Sequence, residues 1–251
     1  MMRLIDRIAN TNRLTAASAA EKMLFALGML ALAVGLPPWP GAVLVLIVVL
    51  AALFGGARIR LRDYAKVIGG PLVVLLVGLI PLFFSLSFGG PAFVRLGVSP
   101  TGPELALKVT LRVLAAVNCL LFLSLTTPLP QMLAVLHRLR VPAVITEVSL
   151  LVYRYVWVFI DAVVTMRRAQ ASRLGYSTTR RSFHSLAMLL AALLGQALNR
   201  GRALQYGMES RNWRGELRVL EDGARASALA ATAIVGLEAA ILAGVLVWTH
   251  A

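Results

Sequence analysis

Apolar runs long enough to cross a bilayer recur along this chain, and they constrain its fold more than any other feature. A spanning helix needs about 20 apolar residues, with a range of about 17–25, because lipid offers no hydrogen-bond partner to an open backbone. Met23–Leu36, extended back through the Ala-rich stretch at 16–20, gives the first run. Pro37-Pro38-Trp39-Pro40 closes it, since proline cannot continue the ladder. Gly41–Ala57 is the second and Val67–Phe88 the third, with Pro71 and Pro81 as predicted kinks. Leu105–Leu125 is the fourth and Ala226–Trp248 the fifth. The reading is an all-α polytopic membrane protein with about five transmembrane helices, the first four near 16–36, 41–57, 67–88 and 105–125.

Charge sets the predicted orientation. Charged residues make up 14% of the chain, against about a quarter in soluble domains, and 25 are Lys or Arg against 11 Asp or Glu. Basic residues are retained on the cytoplasmic side of a membrane. Arg3, Arg7, Arg13 and Lys22 precede the first span, and Arg58, Arg60, Arg62 and Lys66 link the second to the third. The turn at 37–40 has no basic residue and the 89–104 link only Arg95. The N-terminus is therefore predicted inside and Thr249-His250-Ala251 outside, in a bacterial inner membrane. Regions follow: an N-terminal membrane part (1–125), an inner part (126–225) holding 14 arginines, and a last spanning helix (226–251). Positive charge placed this way argues against nucleic acid and for a bilayer.

Within the inner part, 148–166 and 186–198 are also apolar, but arginines flank both ends of each. They read as long helices beneath, or dipping into, the inner leaflet. Glu147, Arg154, Asp161 and Arg168 are spaced by seven along the first, forming one polar stripe with alternating signs. An internal or partly wetted polar seam is the plainer reading of that stripe; contact with a partner is the other.

Charges also fall well inside predicted spans: Arg112 in the fourth, one turn after Lys108, and Glu238 near the middle of the fifth. Intramembrane charges usually face the protein interior or a partner. Their depths permit a pair, although Arg112 can also snorkel to the interface. The lone Cys119 excludes a disulfide framework, and His137, His184 and His250 share no ligand spacing, so no metal site is predicted in this chain. The first hydrophobic run has no small-residue cleavage site after it, so it is expected to be retained. There is no phosphate-cradling glycine loop and no nucleophile–base set. The chain is expected to be non-catalytic and to bind no cofactor.

A short arginine motif occurs twice in the inner part. Ala171-Ser172-Arg173-Leu174-Gly175-Tyr176 is echoed by Glu209-Ser210-Arg211-Asn212-Trp213-Arg214-Gly215, with the arginines 38 positions apart. Each follows a helical pattern and precedes a glycine, a common C-terminal cap. Arginine offers five donors in a rigid fork that grips a carboxylate or backbone carbonyls. One such residue would read as a solvated helix end; the repetition points to a paired partner.

With these residues in view, the chain resembles the transmembrane T component of an energy-coupling-factor transporter, of the cobalt-type branch. The resemblance covers nearly the whole length. It rests on Leu4–Leu14 followed by Glu21-Lys22, on Leu125-Thr126-Thr127-Pro128, on Tyr153-Arg154-Tyr155 and most specifically on Gly207–Gly215. That family carries two Ala-Arg-Gly coupling motifs at the ends of cytoplasmic helices. They map to Ser172-Arg173-Leu174 and Ser210-Arg211-Asn212, which differ at the first and third positions. The resemblance implies a coupling subunit joining a substrate-binding membrane subunit to two copies of an ABC-type ATPase, with ATP and Mg held by those partners. It leaves open nickel or a biotin-type vitamin in place of cobalt. A basic scaffold for anionic lipids is the alternative of another class.

Overall fold

The computed structural model describes residues 2–80, 84–87, 95–98, 102–212 and 227–250. Its described residues are almost entirely helical. Two compact units emerge, one of Met1–Val135 with Asp222–Ala251, the other of Leu136–Glu221.

The first unit begins with the short amphipathic helix α1 (Met2–Thr11), a 3₁₀ turn at Arg13–Ala16, and α2 (Ala19–Gly35). Backbone dihedrals at Trp39 leave the helical region (φ −120°, ψ 120°) before α3 (Val43–Ala51) runs on through a wider turn to Gly56. Next come α4 (Leu61–Leu79) and a short antiparallel hairpin, β1 (Phe84–Ser87) with β2 (Arg95–Val98). The apolar run predicted to continue helical from Val67 to Phe88 therefore stops as helix near Leu79, where the sequence brings a proline that cannot donate. Phe84–Ser87 pairs as strand instead. Then follow α5 (Gly102–Thr126), α6 (Leu129–Arg138) and, after the second unit, α9 (Ala228–His250).

Among the described residues, five stretches are long and apolar enough to cross a membrane: Pro38–Gly56, α5, α9 and the two long helices of the second unit, α7 (Ala143–Ser172) and α8 (Thr179–Glu209). The protein is a multi-pass membrane protein.

Helix α5 is the hub of the first unit, packing against α1, α2, α3 and α4, while α9 lies on α2. In lipid, helices gain little from hydrophobic burial against one another, and close packing through small residues replaces it. The core follows that rule. Ala26, Met29 and Ala33 of α2 and Ala115 and Cys119 of α5 are buried together with Val45, Val49 and Val245. Phe25 and Phe122 meet edge to face, ring centroids 5.0 Å apart.

Polar contacts close the ends of these helices. The last carbonyls of a helix have no partner within it. At the end of α5, the Asn12 side-chain amide donates to Leu125 O at 3.0 Å and the Lys22 ammonium to Thr126 O at 3.2 Å. Lys22 is 4% exposed, and its positive charge faces the negative end of the α5 dipole. Glu21 beside it accepts from the Ser227 N–H at 2.7 Å, holding the entry to α9.

Arg112 and Glu238 do not pair with each other. Arg112 donates to Leu36 O at 3.1 Å, capping the end of α2 where Pro37 supplies no N–H. The Glu238 carboxyl packs against Gly28, so closely that a side chain at position 28 would collide with it. Both charges thus serve helix contacts, but by separate routes.

Two predictions follow from this packing. Lys22→Met leaves the Thr126 carbonyl without its cationic donor and lowers stability by about 1–3 kcal/mol; an unchanged thermal midpoint in detergent would refute the capping role. Gly28→Ala destabilises by about 1–3 kcal/mol through overpacking, and Glu238→Ala in the same chain restores most of it. A Gly28→Ala chain as stable as wild type would show that the carboxyl does not fill this space.

Candidate functional site: two arginine turns

The second unit is dominated by α7 and α8, each about 45 Å long at roughly 1.5 Å per residue. Both arginine motifs stand at the C-terminal ends of these helices, and the two ends are built alike. Helix α7 closes at Ser172 and α8 at Glu209. Ser172 Oγ donates to Ala169 O at 2.9 Å, and Ser210 Oγ to Gly207 O at 3.1 Å. The amide of Arg173 bonds Gln170 O at 3.2 Å, while that of Arg211 bonds Met208 O at 3.1 Å. Leu174 N–H reaches Ala171 O at 3.0 Å, matched by Asn212 N–H to Glu209 O at 3.1 Å. Each hydroxyl and amide therefore takes the carbonyl three residues back.

The match extends to the backbone. Leu174 has φ 56° and Asn212 φ 54°, both in the left-handed region that turns the chain off the helix axis. Glycine fills that region without strain and asparagine tolerates it; leucine does not. The glycine cap predicted at Gly175 is thus displaced by one residue. Gly175 is required for another reason: an added Cβ would come within 2.6 Å of Ser185 Oγ and 2.8 Å of Gln170 O. Gly215 of the second motif, with Trp213 and Arg214, lies outside the described residues.

The first turn is braced from behind. Gln170 Nε2 donates to Ser185 O at 2.9 Å, and Gln170 Oε1 accepts from the Tyr176 hydroxyl at 2.7 Å. Ser185 Oγ in turn bonds Gly175 O at 2.9 Å. Arg167 stacks over the Tyr176 ring, 5.8 Å from its centroid. A cavity of about 700 Å³ opens beside this network, walled by Arg167, Tyr176, Phe183 and Leu186. Gln170, Tyr176 and Ser185 escaped the sequence reading, because no local pattern announces a bracing contact between two helices.

Ser172, Arg173, Leu174, Ser210, Arg211 and Asn212 are all exposed. Along α7, Arg154, Asp161 and Arg168 are exposed and Glu147 half-buried. Among the described residues, no three His, Cys, Asp or Glu side chains gather as a metal site. The geometry amounts to two helix ends built alike, each carrying an exposed arginine.

A model of the family described as CbiQ, cobalt transport protein, matches residues 11–220. The chain belongs to this family. It is 46% identical over 239 residues to the cobalt transport protein CbiQ of Rhodobacter capsulatus, covering 95% of this chain and 96% of that one. The CbiQ protein of Salmonella typhimurium is 29% identical over 225 residues, covering 86% and 99%. In Methanocorpusculum labreanum, a chain provisionally named as a fused cobalt transport protein, CbiMQ, is 31% identical over 240 residues; these cover 92% of this chain and 40% of the fusion. The matched family region takes in both arginine turns and the Asn12–Lys22–Thr126 contacts.

The left-handed residue gives a stability test. Leu174→Gly removes side-chain strain at φ 56° and holds or raises the unfolding midpoint, whereas the β-branched Leu174→Val lowers stability by about 1 kcal/mol or more. A glycine variant less stable than wild type would mean that the Leu174 side chain is needed for packing.

Proposed function

We propose that this CbiQ-family chain is the non-catalytic transmembrane coupling subunit of an ATP-driven importer of the energy-coupling-factor type, with cobalt as cargo. The observation that carries this reading is the duplicated turn: two helix ends of the same hydrogen-bonding pattern, each presenting one exposed arginine. A single partner surface would not need the feature twice; two copies of one ATPase would. In the proposed assembly, Arg173 enters a groove on one ATPase subunit and Arg211 the matching groove on the other. A guanidinium grips carboxylates or carbonyls there with directional bonds. The serine and the left-handed residue hold each arginine at the helix end, so movement of the groove is transferred to the whole helix.

Hydrolysis and its ATP and Mg belong to the ATPase partners, and this chain holds no cofactor of its own. Cargo recognition falls to a separate substrate-binding membrane subunit. The fused relative supports such a neighbour, since its name joins an M part and a Q part in one chain. Large apolar side chains left exposed along α7 and α8, among them Val148, Val152, Leu190 and Leu194, support a lipid or protein cover over these helices. Basic loops favour an inner-membrane chain whose N-terminus, α7 and α8 face the cytoplasm.

The decisive measurement uses Arg173→Ala and Arg211→Ala, singly and together, with Arg200→Ala/Arg202→Ala as the charge-matched control. Each motif variant should lower ATP-dependent uptake of labelled cobalt by roughly tenfold or more, as for a buried interface anchor, and the double variant should fail to co-purify with the ATPase. Membrane insertion stays normal. Equal, salt-graded losses in the control would replace this reading with general lipid binding.

A further inference from the structure

At one end of the first unit lies a cavity of about 690 Å³. That is within the roughly 300–1,000 Å³ typical of small-molecule sites. Arg7, Asn12 and Arg13 line it from the chain's opening segment, and Arg58, Arg60 and Asp63 from the connection into α4. Four guanidiniums therefore share one cavity with one carboxylate. Among the described residues, none of the four is paired with an acidic side chain.

The connection is built to deliver its arginines there. Ala57 and Ile59 are buried in the core, so the intervening Arg58 and the following Arg60 are left exposed at the cavity. Ala57 N–H is fixed to Ala52 O at 2.9 Å and Ile59 N–H to Leu53 O at 3.3 Å. Arg58 itself sits at φ 51°, a strained backbone for a non-glycine residue. A flexible solvated loop has no need of that strain. Four like charges gathered about a single acid repel one another, and an anion in their midst lowers that cost. The cavity also follows directly on Pro38–Gly56, a stretch long and apolar enough to cross a bilayer, and a helix that spans there would end at the level of lipid phosphates.

We propose that this cavity binds a phosphate-bearing anion, supplied by an anionic phospholipid headgroup of the adjoining leaflet or by a soluble phosphate. Arginine forks take phosphate oxygens in paired, charge-assisted bonds. The site is independent of the ATPase-coupling role.

The test uses the full chain in nanodiscs of phosphatidylcholine, with and without added phosphatidylglycerol. A second arm adds inorganic phosphate to the phosphatidylcholine discs. Phosphatidylglycerol raises the thermal midpoint of wild type, and Arg58→Ala/Arg60→Ala weakens its apparent affinity roughly tenfold or more. The control, Arg180→Ala/Arg181→Ala, leaves the affinity unchanged. Should the alanine variant fail to fold, Arg58→Lys/Arg60→Lys keeps the charge but loses the forks, and still binds more weakly than wild type. Stabilisation by phosphatidylglycerol alone assigns the site to lipid; stabilisation by inorganic phosphate assigns it to a soluble ligand. Equal responses of pocket and control variants, or no response to either anion, would overturn the proposal.

Discussion

The first unit depends on how α5 ends. This helix is the element against which α1, α2, α3 and α4 all pack, and its final carbonyls would be orphaned where the chain turns away. Asn12 and Lys22 satisfy them from two different preceding segments, so one contact fixes the opening segment, α2 and α5 together. The pairing is charge-assisted and buried, and it works with the helix dipole rather than against it. Three of the segments that carry the family resemblance, around Asn12, Glu21-Lys22 and Thr126, are neighbours for this reason. In a setting where apolar burial discriminates poorly between helix partners, directional bonds of this kind decide which helix meets which.

The same principle of closing helix ends is applied differently in the second unit. There the ends are left exposed, and what is fixed is the turn itself: a serine bonded three residues back, an arginine, and a left-handed residue. Such a turn costs backbone strain at Leu174 and holds its arginine on a helix about 45 Å long. A stiff rod with a defined peg at its tip transmits displacement; a frayed tip would absorb it. Bracing of the first turn by Gln170, Tyr176 and Ser185 adds to that stiffness.

Much of this was legible in the sequence because the signals are local. Apolar runs gave the helices, proline clusters their ends, and the repeated Ser-Arg pair its position at two helix ends. What stayed hidden depends on contacts between distant segments. Gly175 looked like the cap because glycine favours positive φ, yet Leu174 takes that role while Gly175 avoids a collision with α8. The depths of Arg112 and Glu238 permitted a pair, and charges are costly alone in lipid. A backbone carbonyl at Leu36 and the open face of Gly28 proved the nearer neighbours, and neither announces itself in composition. The apolar run beyond Leu79 gives no periodicity that distinguishes strand from helix, so the hairpin was unreadable.

The basic residues divide by environment. Lys22 and Arg112 are committed to helix-end carbonyls and are spent on the fold. Arg173 and Arg211 have no such commitment and stand where a partner can reach them. Among the described residues, Arg7, Arg13, Arg58 and Arg60 likewise have no acidic partner, but they converge on a cavity. Net charge alone cannot separate these groups, since each arginine counts the same toward +14. Separation comes from whether a backbone carbonyl lies within reach. In the first of these groups the cation serves the fold; in the other two its donors are open to a ligand or a partner.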